Sequence, residues 1–79
     1  MEENVLISKL ETIFRDVFNK ESLTITKEMS ANDLTEWNSL NHMILVTEVE
    51  NAFSIKFKLK DLNKMHNIGD MIEIINSKL

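Results

Sequence analysis

The chain has no cysteine, no proline and a single glycine, Gly69, in 79 residues. Without cysteine there are no disulfides and no thiolate metal ligands to support a small core, and nothing points to an oxidising compartment. Without proline and with one glycine, helix ends must be read from Ser, Thr, Asn and Asp caps. No apolar run approaches the roughly 18 residues of a membrane span, and the start Met1-Glu2-Glu3-Asn4 is acidic, so no signal peptide or membrane insertion is expected and the protein reads as cytoplasmic. Basic residues are also scarce over most of the chain. Residues 1–53 carry ten acids against four bases, a balance of −6, while residues 54–79 carry three acids against five bases, a balance of +2. An acidic chain with few aromatics lacks the basic face that phosphate neutralisation needs, so no nucleic acid is expected as ligand and proteins with basic patches are the expected partners. A length of 79 residues allows one domain, 1–79, which buries only about 60% of its unfolded surface. That disfavours a deep catalytic cleft.

What is present is helical periodicity. Leu6, Leu10, Ile13 and Val17 recur at helical spacing, widened by Phe14 and Phe18, and predict a helix over Glu3 to Asn19 with Glu11 and Arg15 paired on its wet side. From Lys20 to Trp37 the pattern dissolves into a loop of about 18 residues, long enough to be functional, with a capping-box echo at Ser30 and Asp33. Its scattered Leu23, Ile25, Met29, Leu34 and Trp37 are expected to pin it across the bundle. The second helix is predicted over Ser39 to Phe53, with Asn38 or Ser39 as N-cap. Leu45, Val46, Val49 and Phe53 share its core side, while Leu40 and Ile44 lie on another flank with Thr47 and Asn51 and leave apolar surface exposed beside Ser39. Ile55-Lys56-Phe57-Lys58-Leu59-Lys60 alternates like a strand, yet no second strand signal exists to pair with it. An extended turn into a short helix near Leu59 to Lys64 is expected instead. A last helix, Ile68 to Ser77, follows from Ile68, Met71, Ile72 and Ile75, with Asn67 as cap and Asp70 in its first turn.

Few residues carry chemistry. Ser39 and His42 lie three apart, close enough to share a helix face, but a hydrolase would also need an oriented base and an oxyanion site. No glycine-rich elbow supplies one, so His42 reads as a surface or boundary residue. His42 and His66 are too far apart in sequence to signal a metal site. The lysines at 56, 58, 60 and 64 read as a solvated face. For Ser39 two meanings stay open: an N-cap or first-turn hydroxyl, or a site where a phosphodiester would be stabilised by the positive helix end.

The run Glu36-Trp37-Asn38-Ser39-Leu40-Asn41-His42 resembles the Asp-Ser-Leu signature of acyl carrier proteins. The order and lengths of the helices around it, the long loop, and Glu48-Val49-Glu50-Asn51-Ala52-Phe53 followed by Ile55 and Phe57 resemble that family over essentially the whole chain. The resemblance implies an all-α four-helix bundle with three main helices and a short third one. It implies a carrier rather than an enzyme, with Ser39 accepting 4'-phosphopantetheine from coenzyme A through a separate phosphopantetheinyl transferase. The arm's thiol would carry acyl or aminoacyl groups as thioesters between acyl-loading and acyl-transfer enzymes, from a monomeric carrier. Asn38, Leu40, Asn41, Met43, Ile44 and Thr47 would form the docking strip. Val46, Val49, Phe53, Phe57, Leu62, Met65, Met71 and Ile74 would form the core and any lining that folds around a bound chain; all are expected to be core on helical spacing alone. Asn38 departs from the family's usual Asp. Ile44 and Asn51 stand where fatty-acid carriers are often acidic, and Lys56 to Lys64 add positive charge. The Trp-Asn-Ser-Leu-Asn-His run resembles stand-alone carriers of specialised pathways, such as surface polysaccharide or secondary-metabolite synthesis. The alternative expectation is an unmodified helical interaction module in which Ser39 only caps and Leu40 and Ile44 bind a protein.

Overall fold

Residues 2–79 are described by a computed structural model, in which helix α1 spans Glu3–Phe18. Its buried ridge is Leu6, Leu10, Phe14 and Phe18, an i,i+4 row. Ile13 and Val17, expected on the core stripe, lie on its shoulder instead. The two phenyl rings fill the centre, packed edge to face at 5.6 Å between centroids, and the smaller branched side chains are left at the border. Asn19 ends the helix in the left-handed region, φ 55°, with its N–H donating to the Arg15 carbonyl. Asparagine is among the few residues other than glycine that visit this conformation readily.

Glu11 and Arg15 form their expected ion pair at 3.1 Å, but the pair is not simply a solvated surface feature. The Glu11 carboxylate accepts the Ile25 N–H at 3.0 Å, and Arg15 Nε donates to the Leu23 carbonyl at 2.7 Å. Together they clamp the long loop to α1. Ile25 and Trp37 are buried, and Leu23, Met29 and Leu34 pack partly against the core. Within the loop, Ser30 and Asp33 close the capping box of a 3-10 turn, Ala31–Asp33.

Helix α2 covers Ser39–Phe53 and buries Leu45, Val46, Val49 and Phe53. It also ends on a left-handed residue, Ser54, at φ 56°. The alternating segment that follows forms no strand among the described residues. Ile55 is buried, and the Phe57 N–H donates to the Glu50 carboxylate at 2.8 Å, so a side chain supplies the acceptor that a sheet partner would have provided. Helix α3 is five residues, Leu59–Asn63. Helix α4, Ile68–Lys78, is capped by Asn67, whose Oδ1 accepts the Asp70 N–H at 2.8 Å. Its Ile68 and Gly69 N–H groups donate across to the loop carbonyls of Met29 and Lys27, both at 2.9 Å. This close approach explains the only glycine, since a Cβ on Gly69 would stand 3.2 Å from the Lys27 carbonyl oxygen. One apolar core joins α1, α2, α4, the loop and Ile55, giving the all-helical bundle of three main helices and one short one.

Candidate functional site

The entrance of α2 is built by Asn38. Its backbone is extended and its Oδ1 accepts the Asn41 N–H at 2.9 Å, so the cap is Asn38 and Ser39 is the first helical residue. The Asn41 side chain turns back and donates to the Glu36 carbonyl at 2.7 Å, tying the loop end to the first turn. Ser39 is exposed, and its hydroxyl makes no hydrogen bond to the protein among the described residues. The helix thus has no need of that hydroxyl, which stands free at the positive end of α2.

Beside Ser39 opens a groove of about 620 Å³ lined by Ala31, Trp37, Asn38, His42, Met43, Met65 and His66. Trp37 forms its floor, buried against Phe14 at 5.2 Å between ring centroids. Its indole Nε1–H donates to His42 Nδ1 at 3.0 Å, with the two rings side by side, 6.1 Å between centroids and 23° between planes. An imidazole that accepts at Nδ1 is neutral with its proton on Nε2, and burial lowers the His42 pKa from its ordinary value. The lone pair that a serine base would use is therefore occupied by tryptophan. Among the described residues no group of three His, Cys, Asp or Glu side chains is placed to hold a metal ion.

No family model matches the chain. It is 31% identical over 80 residues to the acyl carrier protein of Coprothermobacter proteolyticus, covering 100% of this chain and 96% of that protein. The chain belongs to the acyl carrier protein family. The acyl carrier protein of Exiguobacterium sp. is 30% identical over 77 residues, covering 98% and 96% of the two chains. The solution structure of holo acyl carrier protein from Geobacter metallireducens superposes with a TM-score of 0.86 at 42% identity, over 91% of this chain and 83% of that one. The protein is therefore a carrier and not an enzyme. Among the described residues no helix is long and apolar enough to cross a membrane.

In this carrier Leu40, Met43 and Ile44 are exposed at 71%, 54% and 45%, and Thr47 is exposed beside them with its hydroxyl donating to the Met43 carbonyl. Ile44 also edges a notch shared with Ile13 and Val17 of α1. Asn38 and Asn41 are occupied in building the helix entrance. Of the set expected to be core, Val46, Val49, Phe53 and Met71 are buried, while Phe57 and Met65 pack against the core from its edge. Leu62 and Ile74 are only half-buried, because the buried row of α4 is Ile68, Met71, Ile72 and Ile75 and Ile74 falls to its side. Met65 reaches the groove beside Ser39, as does His66. The Trp37–His42 bond was not foreseen, since a spacing of five matches neither helical nor strand periodicity.

Proposed function

We propose that Ser39 is the attachment point of 4'-phosphopantetheine and that the 79 residues act as one cytoplasmic carrier domain. The observation that carries this reading is the division of labour at the entrance of α2. Asn38 supplies the cap, so Ser39 is spared for modification, exposed at a helix end that favours an anion and beside an open groove. These residues fit the group: the hydroxyl accepts the phosphodiester, and the groove offers Trp37, Met43 and Met65 to the arm. When bound, the arm supplies a thiol for thioester formation, which a chain without cysteine cannot do itself. The alternative reading, an unmodified interaction module that binds through Leu40 and Ile44, would leave Ser39 without even the capping role, since the cap is Asn38.

Charge supports a dedicated acyl or aminoacyl pathway rather than general fatty-acid synthesis. The strip from Leu40 to Thr47 is uncharged, and four lysines, 56, 58, 60 and 64, lie on α3 and its flanks, a poor match to basic docking patches. Incubation with coenzyme A, magnesium and a broad-specificity transferase is expected to add one phosphopantetheine mass to the protein and none to Ser39→Ala. No gain in the parent protein, or a gain retained in Ser39→Ala, rejects the assignment. The intact mass of protein from its native host reads out the cargo class.

A further inference from the structure

The nine basic side chains of the carrier are used unevenly. Arg15, Lys20, Lys27 and Lys78 are paired with Glu11, Glu36, Glu3 and Asp61. Lys9 lies over the Phe53 ring, with Nζ 5.0 Å from its centroid. The other four, Lys56, Lys58, Lys60 and Lys64, are all exposed and have no ion-pair partner among the described residues. They occupy α3 and its flanks, around Leu59, which at 75% is the most exposed large apolar side chain described. Within the segment Asp61 is paired with Lys78 at 2.9 Å and accepts the Lys58 N–H at 2.8 Å. The flanking carboxylates Glu50 and Asp70 accept the Phe57 and His66 N–H groups and keep their charge, so the segment from Lys56 to Lys64 has an excess of bases rather than a purely basic surround.

The C-terminal end of this lysine-bearing segment adjoins the modification site. Met65 and His66, which follow Lys64 directly, line the same groove as Ser39. Across the groove α2 contributes no opposing charge, since Asn38 is neutral and the first turn of α2 holds no acid. An enzyme that reaches the Ser39 hydroxyl must cover the groove and with it the end of α3. We propose that the enzyme that modifies Ser39 docks an acidic face, with a small apolar recess for Leu59, onto Lys56, Lys58, Lys60 and Lys64. The proposal rests on the reading of Ser39 as the attachment residue. A protein face is favoured over a lipid surface because one exposed leucine on a five-residue helix offers too little apolar area beside the lysines for stable membrane anchoring. A local excess of lysines steers encounter and loses its effect as salt screens it.

The test measures kcat/KM for loading of the full-length carrier by the native host's own phosphopantetheinyl transferase, with coenzyme A as donor, across ionic strength. Wild type is expected to load more slowly as salt rises. The double variant Lys58→Glu/Lys60→Glu is expected to load at least tenfold more slowly at low salt, with the two rates converging at high salt. Leu59→Ser is expected to raise KM at every salt concentration. All three side chains are exposed, and unchanged thermal unfolding of the variants separates docking from folding. Equal rates for wild type and the double variant overturn the proposal, as does faster loading of the double variant, which would mean a basic partner face. Binding of wild type but not of the double variant to phosphatidylglycerol vesicles, with loading rates unchanged, overturns it in favour of a lipid surface. Intact mass judges the reading of Ser39 separately: a carrier loaded equally well with either charge sinks only the docking face, whereas a wild type that gains no mass removes both.

Discussion

Asn38 and Ser39 are adjacent side chains of similar chemistry, yet they carry different loads. Because Asn38 Oδ1 accepts the Asn41 N–H, Asn38→Ala is expected to cost about 1 kcal/mol of stability in urea unfolding. Ser39→Ala, at an exposed position with no protein hydrogen bond, is expected to cost less than about 0.5 kcal/mol. Costs in the reverse order would return the cap to Ser39. Three residues further on, His42 couples stability to pH. The folded state holds its imidazole neutral, since burial depresses its pKa and Nδ1 accepts from the Trp37 indole. As pH falls through about 6.5, the ordinary histidine value, the unfolded chain takes up this proton before the folded one does. Stability contributed by neutral His42 is therefore full above that pH, declines below it, and levels off once the folded form protonates. His42→Gln keeps a hydrogen-bond acceptor without the titration. The urea midpoint of this variant is expected to fall less than that of wild type between about pH 7 and pH 5, and parallel curves would assign the decline to other groups.

Two of the helices end on residues that only a short list of side chains tolerates. Asn19 suits the left-handed cap of α1, but Ser54 at φ 56° does not suit that of α2. Ser54→Gly is expected to raise stability by about 0.5–1 kcal/mol, read as a higher melting temperature. The third helix depends on a single carboxylate. Asp61 accepts the Lys58 N–H and pairs with Lys78 of α4. The Lys78 hydrogen bond, helped by the Lys58 N–H, lowers its pKa, so this contribution is full above about pH 4, the unfolded value, and is lost as pH falls through the lower folded one. Asp61→Ala is expected to speed hydrogen exchange of the α3 amides while α1 stays protected, and unchanged α3 protection would show that the helix needs no tether. These elements were legible in the sequence to unequal degrees. The boundaries of α2 and α4 followed from Asn38, Asn67 and the apolar spacing, because caps and periodicity are local. The row that α1 buries did not, because Phe14 and Phe18 take the centre only when Trp37 arrives from a distant loop to meet them.

The molecule measures 28 × 25 × 22 Å along its principal axes, so no core residue lies far from the surface and each large one matters. Phe14 is fully buried and touches the rings of both Phe18 and Trp37. Truncation of such a ring costs about 3–5 kcal/mol, against a total on the order of 4–12 kcal/mol at 0.05–0.15 kcal/mol per residue. Phe14→Ala is expected to leave a measurable unfolded fraction at room temperature by circular dichroism, while Phe14→Leu stays folded. The candidate site was half legible: Ser39 and the exposed strip of α2 lie within one helix, whereas the groove joins Ala31, His42 and His66 from three segments. Long-range joins of this kind also order events in time. The bonds from Ile68 and Gly69 to the carbonyls of Met29 and Lys27 close a stretch of some forty residues, an ordering cost that must be met before the contact returns anything. Docking of the α4 entrance onto the loop is therefore expected late in folding, and in pulsed hydrogen exchange the amides of Ile68 and Gly69 are expected to gain protection after those of α1.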